Sequence, residues 1–428
     1  MIPLTQHKKG SAQQMRRLLT FWISILIAVT GTAGLFADPV SPQITAQSAI
    51  LVDALTGHVI WEKGCHHRLA PASTTKMMTA IVAMEHASPD RIVTASKRAT
   101  ETPYTSMHLF EGEQLSLHDV LYAMLMRSAN DAAVAVAENV GGSEESFIGM
   151  MNAKAHALGA VDTHFVNPNG LPDPQHYSSA YDLAIIARYA LRFPLINEIV
   201  RTKRYRLTRT KNFQDLSVTS HNHFLWKYPG ADGIKTGFTS EAGGCLAASA
   251  TRGNWRLIAV VLKSKKASKD AIALLDYGYK NFKGVALARE ETPVVNAPVS
   301  GGDVPTVALL PSGSLAAVLR KQASAKPETK VSVYRAAAPI RRGEKLGALT
   351  GYINGRSIGT VDLVAATDVH RTLGATILFV FRTLMEISIL TIVGGIVYGR
   401  TITKSSRRRR RRIAKRGGNP HNVGTSSR

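Results

Sequence analysis

The chain has 428 residues, of which 45% are hydrophobic and 19% charged, a length that predicts two to three domains and a composition without a low-complexity interior. Its formal charge of +23 suggests a nucleic-acid binder until it is located: residues 1–37 carry +4 and residues 400–428 carry +11, both without an acid, which leaves +8 between them. Basicity concentrated at the termini is a signal of membrane topology, and no nucleic-acid partner is expected.

At the N-terminus, Lys8, Lys9, Arg16 and Arg17 precede an apolar run from Leu18 to Phe36 that ends among the small residues Ala33, Gly34 and Ala37. This is the physical form of a secretory signal peptide, expected over 1–37, with an uncleaved anchor as the alternative. Either way the remainder is exported. The next zone, 38–285, alternates strand and helix patterns. Ile50–Ala54 and His58–Glu62 predict a β-hairpin through Leu55-Thr56-Gly57. Met77–Met84 is apolar apart from Thr79 and predicts a buried central helix. Leu117–Glu138 and Glu144–Leu158 also have helical patterns, and strands return at Gly244–Thr251 and Trp255–Lys263. A sheet with helices packed on it, an α/β (α+β) domain, follows from this order.

Residues 286–370 change character. Short β-branched runs such as Val331–Tyr334 and Ser357–Val364 are broken by turns at Pro311-Ser312-Gly313, Pro339, Gly343 and Gly355. They predict a small all-β domain, a sandwich or barrel, serving as spacer or docking module. In 371–399, the 26 residues Leu373–Tyr398 make a helix of roughly 39 Å at about 1.5 Å per residue, long enough to span a bilayer with tilt. Arg382 and Glu386 interrupt it at a spacing that lets them pair. A transmembrane anchor is expected, with an interfacial helix as the alternative. The tail 400–428, with Arg407–Arg412, then lies in the cytoplasm and contacts membrane lipids, while the zones before the helix lie outside. Two cysteines, Cys65 and Cys245, leave open a disulfide or two separate buried thiols, and no metal-ligand pattern is present.

Three short motifs carry the chemistry. In Ser73-Thr74-Thr75-Lys76, positions i and i+3 share a helix face, so Lys76 stands beside the Ser73 hydroxyl. A buried lysine near other cations has a lowered pKa and serves as the base that such a weak nucleophile requires. In Ser128-Ala129-Asn130, Ser128 is placed to relay a proton and Asn130 to hydrogen-bond a substrate amide. In Lys235-Thr236-Gly237, on a predicted edge strand ending at Phe238-Thr239, Lys235 and Thr236 suit a substrate carboxylate and Gly237 admits close approach. Each motif alone has a plain structural explanation: a helix start, a cap, a turn. In this order, with 55 and 107 residues between motif starts, they point to serine acyl transfer.

Further stretches extend the pattern: Val52-Asp53-Ala54 with Gly57, Pro71-Ala72 before Ser73, Asp131-Ala132 after Asn130, Leu158-Gly159, Asn167-Pro168-Asn169-Gly170-Leu171, and Asp232-Gly233-Ile234 before Lys235. Together they resemble the low-molecular-mass penicillin-binding proteins that act as serine-type D-alanyl-D-alanine carboxypeptidases, strongly over about residues 45–285. The resemblance implies a β-lactamase/transpeptidase-like catalytic domain, peptidoglycan stem pentapeptides as substrates and β-lactams as covalent inhibitors. It implies Ser73 as nucleophile, Lys76 as base, Ser128 as proton relay, and Asn130, Lys235, Thr236 and Gly237 as substrate-binding residues. The backbone N–H groups of Ser73 and Phe238 are implied as an oxyanion hole, with no metal or cofactor needed. Two departures stand out: Phe238 where relatives often carry a polar residue, and His221 near where several carry arginine.

Three rivals differ in expected behaviour. A class A β-lactamase needs a glutamate loop that is missing between Asp131 and Ile234, so slow β-lactam deacylation is expected. A DD-endopeptidase cutting cross-links is the nearest enzymatic alternative. A non-catalytic wall-binding scaffold is the remaining one, against which all catalytic residue types are present.

Overall fold

The computed structural model describes residues 40–416, with side chains through Tyr398. The expected signal peptide therefore lies outside the described residues, as do the side chains of the basic tail. The chain forms two compact units: one runs up to Val285 and includes Ala316–Ala325, and the other comprises Ala286–Leu315 and the chain from Lys326 onward.

In the first unit, β1 (Ser48–Asp53) and β2 (Val59–Lys63) form the hairpin expected from the sequence. Helices α1 (Lys76–His86), α2 (Leu117–Met126), α3 (Asn130–Gly141), α4 (Glu144–Ala157) and α5 (Ala180–Ala190) follow. Then come β3 (Ala231–Thr239), β4 (Gly243–Arg252), β5 (Trp255–Ser264) and α6 (Ala267–Asn281). The five strands make one antiparallel sheet in the order β2-β1-β5-β4-β3, so β3 is an edge strand.

Successive side chains in a strand point to opposite faces, and here both faces are covered. Ile50 and Val52 on β1, with Ile258 and Val260 on β5, face a core that includes α1, α2 and α3. Ala49 and Leu51, with Leu257, Ala259 and Val261, face Leu274, Leu275 and Tyr279 of α6. Helix α1 is buried from Lys76 through Ala83, which places a lysine inside an otherwise apolar central helix. The helical stretch expected over Leu117–Glu138 is two helices: the chain breaks at Arg127–Ala129, where Ser128 takes φ 68°. Cys65 and Cys245 are separate buried thiols, and burial raises both to a pKa of about 11.

In the second unit, β6 (Val295–Ser300), β7 (Thr306–Pro311), β8 (Pro327–Val333), β9 (Ala336–Ala337), β10 (Lys345–Ile353) and β11 (Arg356–Ala365) pair in the order β8-β10-β11-β7-β6-β9. The pairing is a single six-stranded sheet where the sequence pattern suggested a sandwich or barrel, and Ala297, Leu309, Leu349 and Leu363 lie in its core. The segment Ala316–Ala325 packs with the first unit. There Lys321 donates from its backbone N–H to Asn281 O (2.9 Å) and from Nζ to Tyr279 O (2.7 Å). Helix α7 (Leu373–Arg416) closes the described chain. Its stretch Leu373–Tyr398 is long and apolar enough to cross a membrane, and none of it is buried. Arg382 Nε donates to Glu386 Oε1 at 2.9 Å, the pairing their spacing predicted.

Candidate active site

Ser73 sits in a 3-10 turn, Ala72–Thr75, that runs straight into α1. The turn is locked by its own hydroxyls: Thr74 Oγ1 donates to Pro71 O (2.7 Å) and Thr75 Oγ1 to Ala72 O (2.8 Å). Between Pro71 and Ala80, Ser73 alone is not buried, so the fold turns this one hydroxyl toward solvent. Two glycines let other segments lie against the turn. A Cβ on Gly170 would stand 2.0 Å from Ala72 O, and one on Gly237 would stand 2.9 Å from Ser73 N. The Gly237 clearance brings β3 against the nucleophile's own backbone.

Lys76 is completely buried, and its Nζ has three partners: Ser73 Oγ at 3.0 Å, Asn130 Oδ1 at 2.7 Å and Asn169 O at 2.6 Å. None is a carboxylate. The Asn130 orientation is fixed by its other end, where Nδ2 donates to Pro103 O at 2.8 Å. Burial holds the Lys76 amine well below the ordinary lysine range; the charge of Lys235 pushes the same way, and Asp131 opposes it. A neutral amine keeps two N–H donors and one lone pair. The two amide oxygens accept the donors, and the lone pair then faces the Ser73 hydroxyl, the only partner that can donate.

Ser128 occupies the break between α2 and α3, and its Oγ accepts from Lys235 Nζ at 2.9 Å. Lys235 also donates to Thr236 O at 2.8 Å and is buried, which lowers its pKa to about 7. The three motifs thus converge: Ser73 to Lys76 to Asn130 on one side, Ser128 to Lys235 on the other. Thr236 and Gly237 lie on the edge strand between them, and the Phe238 side chain is 73% exposed. His221 donates its N–H to Met126 O at 2.8 Å, beside this site. Burial, then Lys235 and Arg127, keep its imidazole below the usual histidine range, so it does not supply an arginine's permanent charge at neutral pH.

Four further residues support the site without having been assigned a role from sequence. Asp131 is fully buried and accepts from Ser106 Oγ (2.6 Å), Met107 N (3.0 Å) and Leu109 N (3.2 Å). It thereby fixes the loop whose Pro103 O and Thr105 O hold the Asn130 side chain and backbone N–H. Asn169 supplies a carbonyl to Lys76, and Gly170 admits the turn. His176, buried, lies 2.8 Å from Thr75 Oγ1 through Nε2, while its Nδ1 accepts from Val166 N at 3.2 Å. That acceptor role puts the ring proton on Nε2, and desolvation lowers the pKa to about 4. Asn167–Leu171 and Asp131 were visible as motif letters, but His176 had no sequence signal. Among the described residues, no group of three or more His, Cys, Asp or Glu is arranged to hold a metal.

Comparisons with known proteins agree with this geometry. A family model described as D-alanyl-D-alanine carboxypeptidase, of the S11 peptidases, matches residues 36–266, and the model of the penicillin-binding protein 5 C-terminal domain matches residues 282–371. The chain is 33% identical to D-alanyl-D-alanine carboxypeptidase DacF of Bacillus subtilis over 83% of this chain and 95% of that one. It is 32% identical to DacC of Escherichia coli, covering 77% and 86%. Among solved structures, penicillin-binding protein 5 of Haemophilus influenzae superposes with a TM-score of 0.61 at 31% identity, covering 77% of this chain and 99% of that one. With its family model spanning more than half of its length and its three motifs gathered around one buried lysine, the chain belongs to the D-alanyl-D-alanine carboxypeptidase family of serine peptidases.

Proposed function

We propose that the protein removes the terminal D-alanine from peptidoglycan stem pentapeptides through an acyl-enzyme on Ser73, and that β-lactams acylate the same hydroxyl. The observation that carries this reading is Lys76: buried, with no carboxylate in contact, and 3.0 Å from Ser73 Oγ. Its neutral amine takes the hydroxyl proton as Oγ attacks the carbonyl carbon of the bond between the last two residues. The N–H groups of Ser73 and Phe238 receive the developing oxyanion. The tetrahedral adduct collapses, the C–N bond breaks, and the departing amine gains a proton through Ser128, backed by Lys235. Water then attacks the ester, releasing the shortened peptide and restoring the Ser73 hydroxyl. Lys235 and Thr236 hold the substrate's terminal carboxylate, and Asn130 holds its peptide amide, with Gly237 and Phe238 on the strand beside it.

The edge position of β3 supports this placement, because an extended peptide can add to it as a further strand. The exported, membrane-anchored setting is supported by the exposed apolar stretch Leu373–Tyr398 and the arginines beyond it. In that setting the enzyme faces the periplasmic side and the tail faces the cytoplasm. The test is D-alanine release from a stem pentapeptide by detergent-solubilised full-length protein beside its Ser73→Ala variant. Release by the parent and none by the variant is expected. Release that persists in the variant contradicts the assignment of Ser73, and release by neither contradicts the carboxypeptidase reading.

A further inference from the structure

Two segments outside the three motifs grip the stretch 127–130. One is the loop 103–113, whose Pro103 O and Thr105 O accept from Asn130 Nδ2 and Asn130 N at 2.8 and 2.7 Å. The other is a small antiparallel hairpin, Arg204–Arg206 with Ser217–Thr219, whose connection carries Arg209 and Asp215. Arg127, next to Ser128, donates from Nη2 to Asp215 Oδ1 at 2.8 Å and to Ser217 O at 2.9 Å, while its Nη1 pairs with Asp215 Oδ2.

Arg209 joins the two segments. Its side chain and that of Glu113 are completely buried, and they pair through two bonds, Nε to Oε1 at 2.9 Å and Nη2 to Oε2 at 2.8 Å. The remaining donors end on backbone carbonyls: Nη1 on Met107 O (2.7 Å) and Asp215 O (3.2 Å), Nη2 on His108 O (3.0 Å). All five guanidinium N–H groups are thus engaged, two by a carboxylate and three by carbonyls drawn from both segments. Met107 is held from two sides, its O by Arg209 and its N–H by Asp131 at 3.0 Å. His108 takes a left-handed φ of 58°, and Asn212 Nδ2 donates to the same carbonyl at 3.0 Å.

A buried ion pair is weak evidence for stability, because apolar residues of similar volume often fill such a site equally well. An apolar residue, or a lysine with three donors on a flexible stem, cannot tie three carbonyls of two segments to one rigid plane. The tied carbonyls lead to both ends of the motif: through Met107 to the loop that holds Asn130, and through Asp215 and Arg127 to Ser128. Asn130 and Ser128 in turn contact the two buried amines, Lys76 at 2.7 Å and Lys235 at 2.9 Å. We propose that Arg209 is a positioning residue for acyl transfer, setting the spacing of the Lys76–Asn130 and Ser128–Lys235 pairs without touching the substrate. The inference rests on the roles given to Ser128 and Asn130 in the reading above.

The experiment measures the limiting rate at which saturating penicillin acylates Ser73 in full-length Arg209→Lys and Asp215→Asn. Each is made in the parent and in a Ser128→Ala, Asn130→Ala background. Arg209→Lys is expected to slow the parent roughly tenfold, less than the roughly 10²-fold that a 1 Å misplacement can cost. Asp215→Asn, which loosens a partly exposed pair, is expected to slow it about threefold. In the doubly substituted background both effects should shrink below about twofold, because the groups being positioned are gone. A merely structural role lowers the rate by the same factor in either background, and that result overturns the inference alone. Parent-like rates in both variants overturn it as well. Should Arg209→Lys fail to fold, Asp215→Asn carries the same comparison. A Ser128→Ala, Asn130→Ala protein that acylates as fast as the parent overturns the reading of the motif and this inference with it.

Discussion

Lys76 of the first unit and Lys345 of the second are the same residue in opposite circumstances. Lys345, on the six-stranded sheet, is half exposed and stands 2.8 Å from Asp362, which raises its pKa. Lys76 is buried among amide oxygens and a hydroxyl, with no carboxylate in contact, and its pKa falls. Exposure with a counter-charge makes a lysine a more persistent cation, whereas burial without one makes it a base. The contrast extends to the two units. In the first, buried polar groups around Ser73 are satisfied by other site residues, and the apolar core serves to hold them dry. The second has an ordinary strand core, and its charged pairs lie at the surface, where they contribute little stability.

The largest test of this contrast is Lys76→Met. Replacing the buried amine with an apolar chain of similar length removes its desolvation cost but leaves Asn130 Oδ1 and Asn169 O without their donor, so some stability is lost, while acylation of Ser73 by penicillin falls roughly 10²–10⁴-fold. Acylation that stays near the parent's rate would show that Lys76 is not the base. Next is Asp131→Ala, which strands the N–H groups of Met107 and Leu109 and frees the loop that orients Asn130. A loss of about 2–4 kcal/mol in denaturant unfolding is expected, together with weaker substrate binding.

His176 yields a smaller effect with a defined pH window. Its folded pKa of about 4 lies below its unfolded value of 6.5, so the unfolded chain takes up a proton first as pH falls. Stability is lost between about pH 6.5 and 4, by up to about 3 kcal/mol from this group. His176→Gln should flatten that part of the stability curve, as followed by thermal unfolding. The smallest effect is Lys345→Ala: penicillin acylation is expected to match the parent, and a measurable loss would show that the second unit bears on the chemistry.

Much of this was legible in the sequence, for identifiable reasons. The single polar residue between Met77 and Met84 foretold a buried helix, and Thr79 is accommodated by donating to Pro168 O at 2.5 Å. The three motifs foretold the partners Ser73–Lys76 and placed Ser128 and Lys235 in one site. What was hidden is carried by backbone groups and distant loops. Asn169 reaches Lys76 through its carbonyl across 93 positions, which no side-chain pattern encodes. Asp131 acts on a loop more than 20 residues earlier. Gly237 could be read as a clearance but not as a clearance for Ser73. The break at Ser128 was masked because the residues on both sides of it are good helix formers, and the left-handed φ of Ser128 with the extended Ala129 separates the two helices. Nothing in the composition of Ala316–Ala325 marks it as packing with the first unit.

The most direct test of the central claim is the pH dependence of the limiting rate at which saturating penicillin acylates Ser73, measured by rapid mixing on the full-length protein. Saturation removes the contribution of Lys235 to binding and leaves the proton transfer within the complex. With the Lys76 amine held well below the ordinary lysine range, the rise of the rate with pH should be complete well short of pH 10.5. A rate that keeps climbing tenfold per pH unit toward 10.5, the ordinary lysine value, would show that Lys76 remains a cation and that another group takes the Ser73 proton.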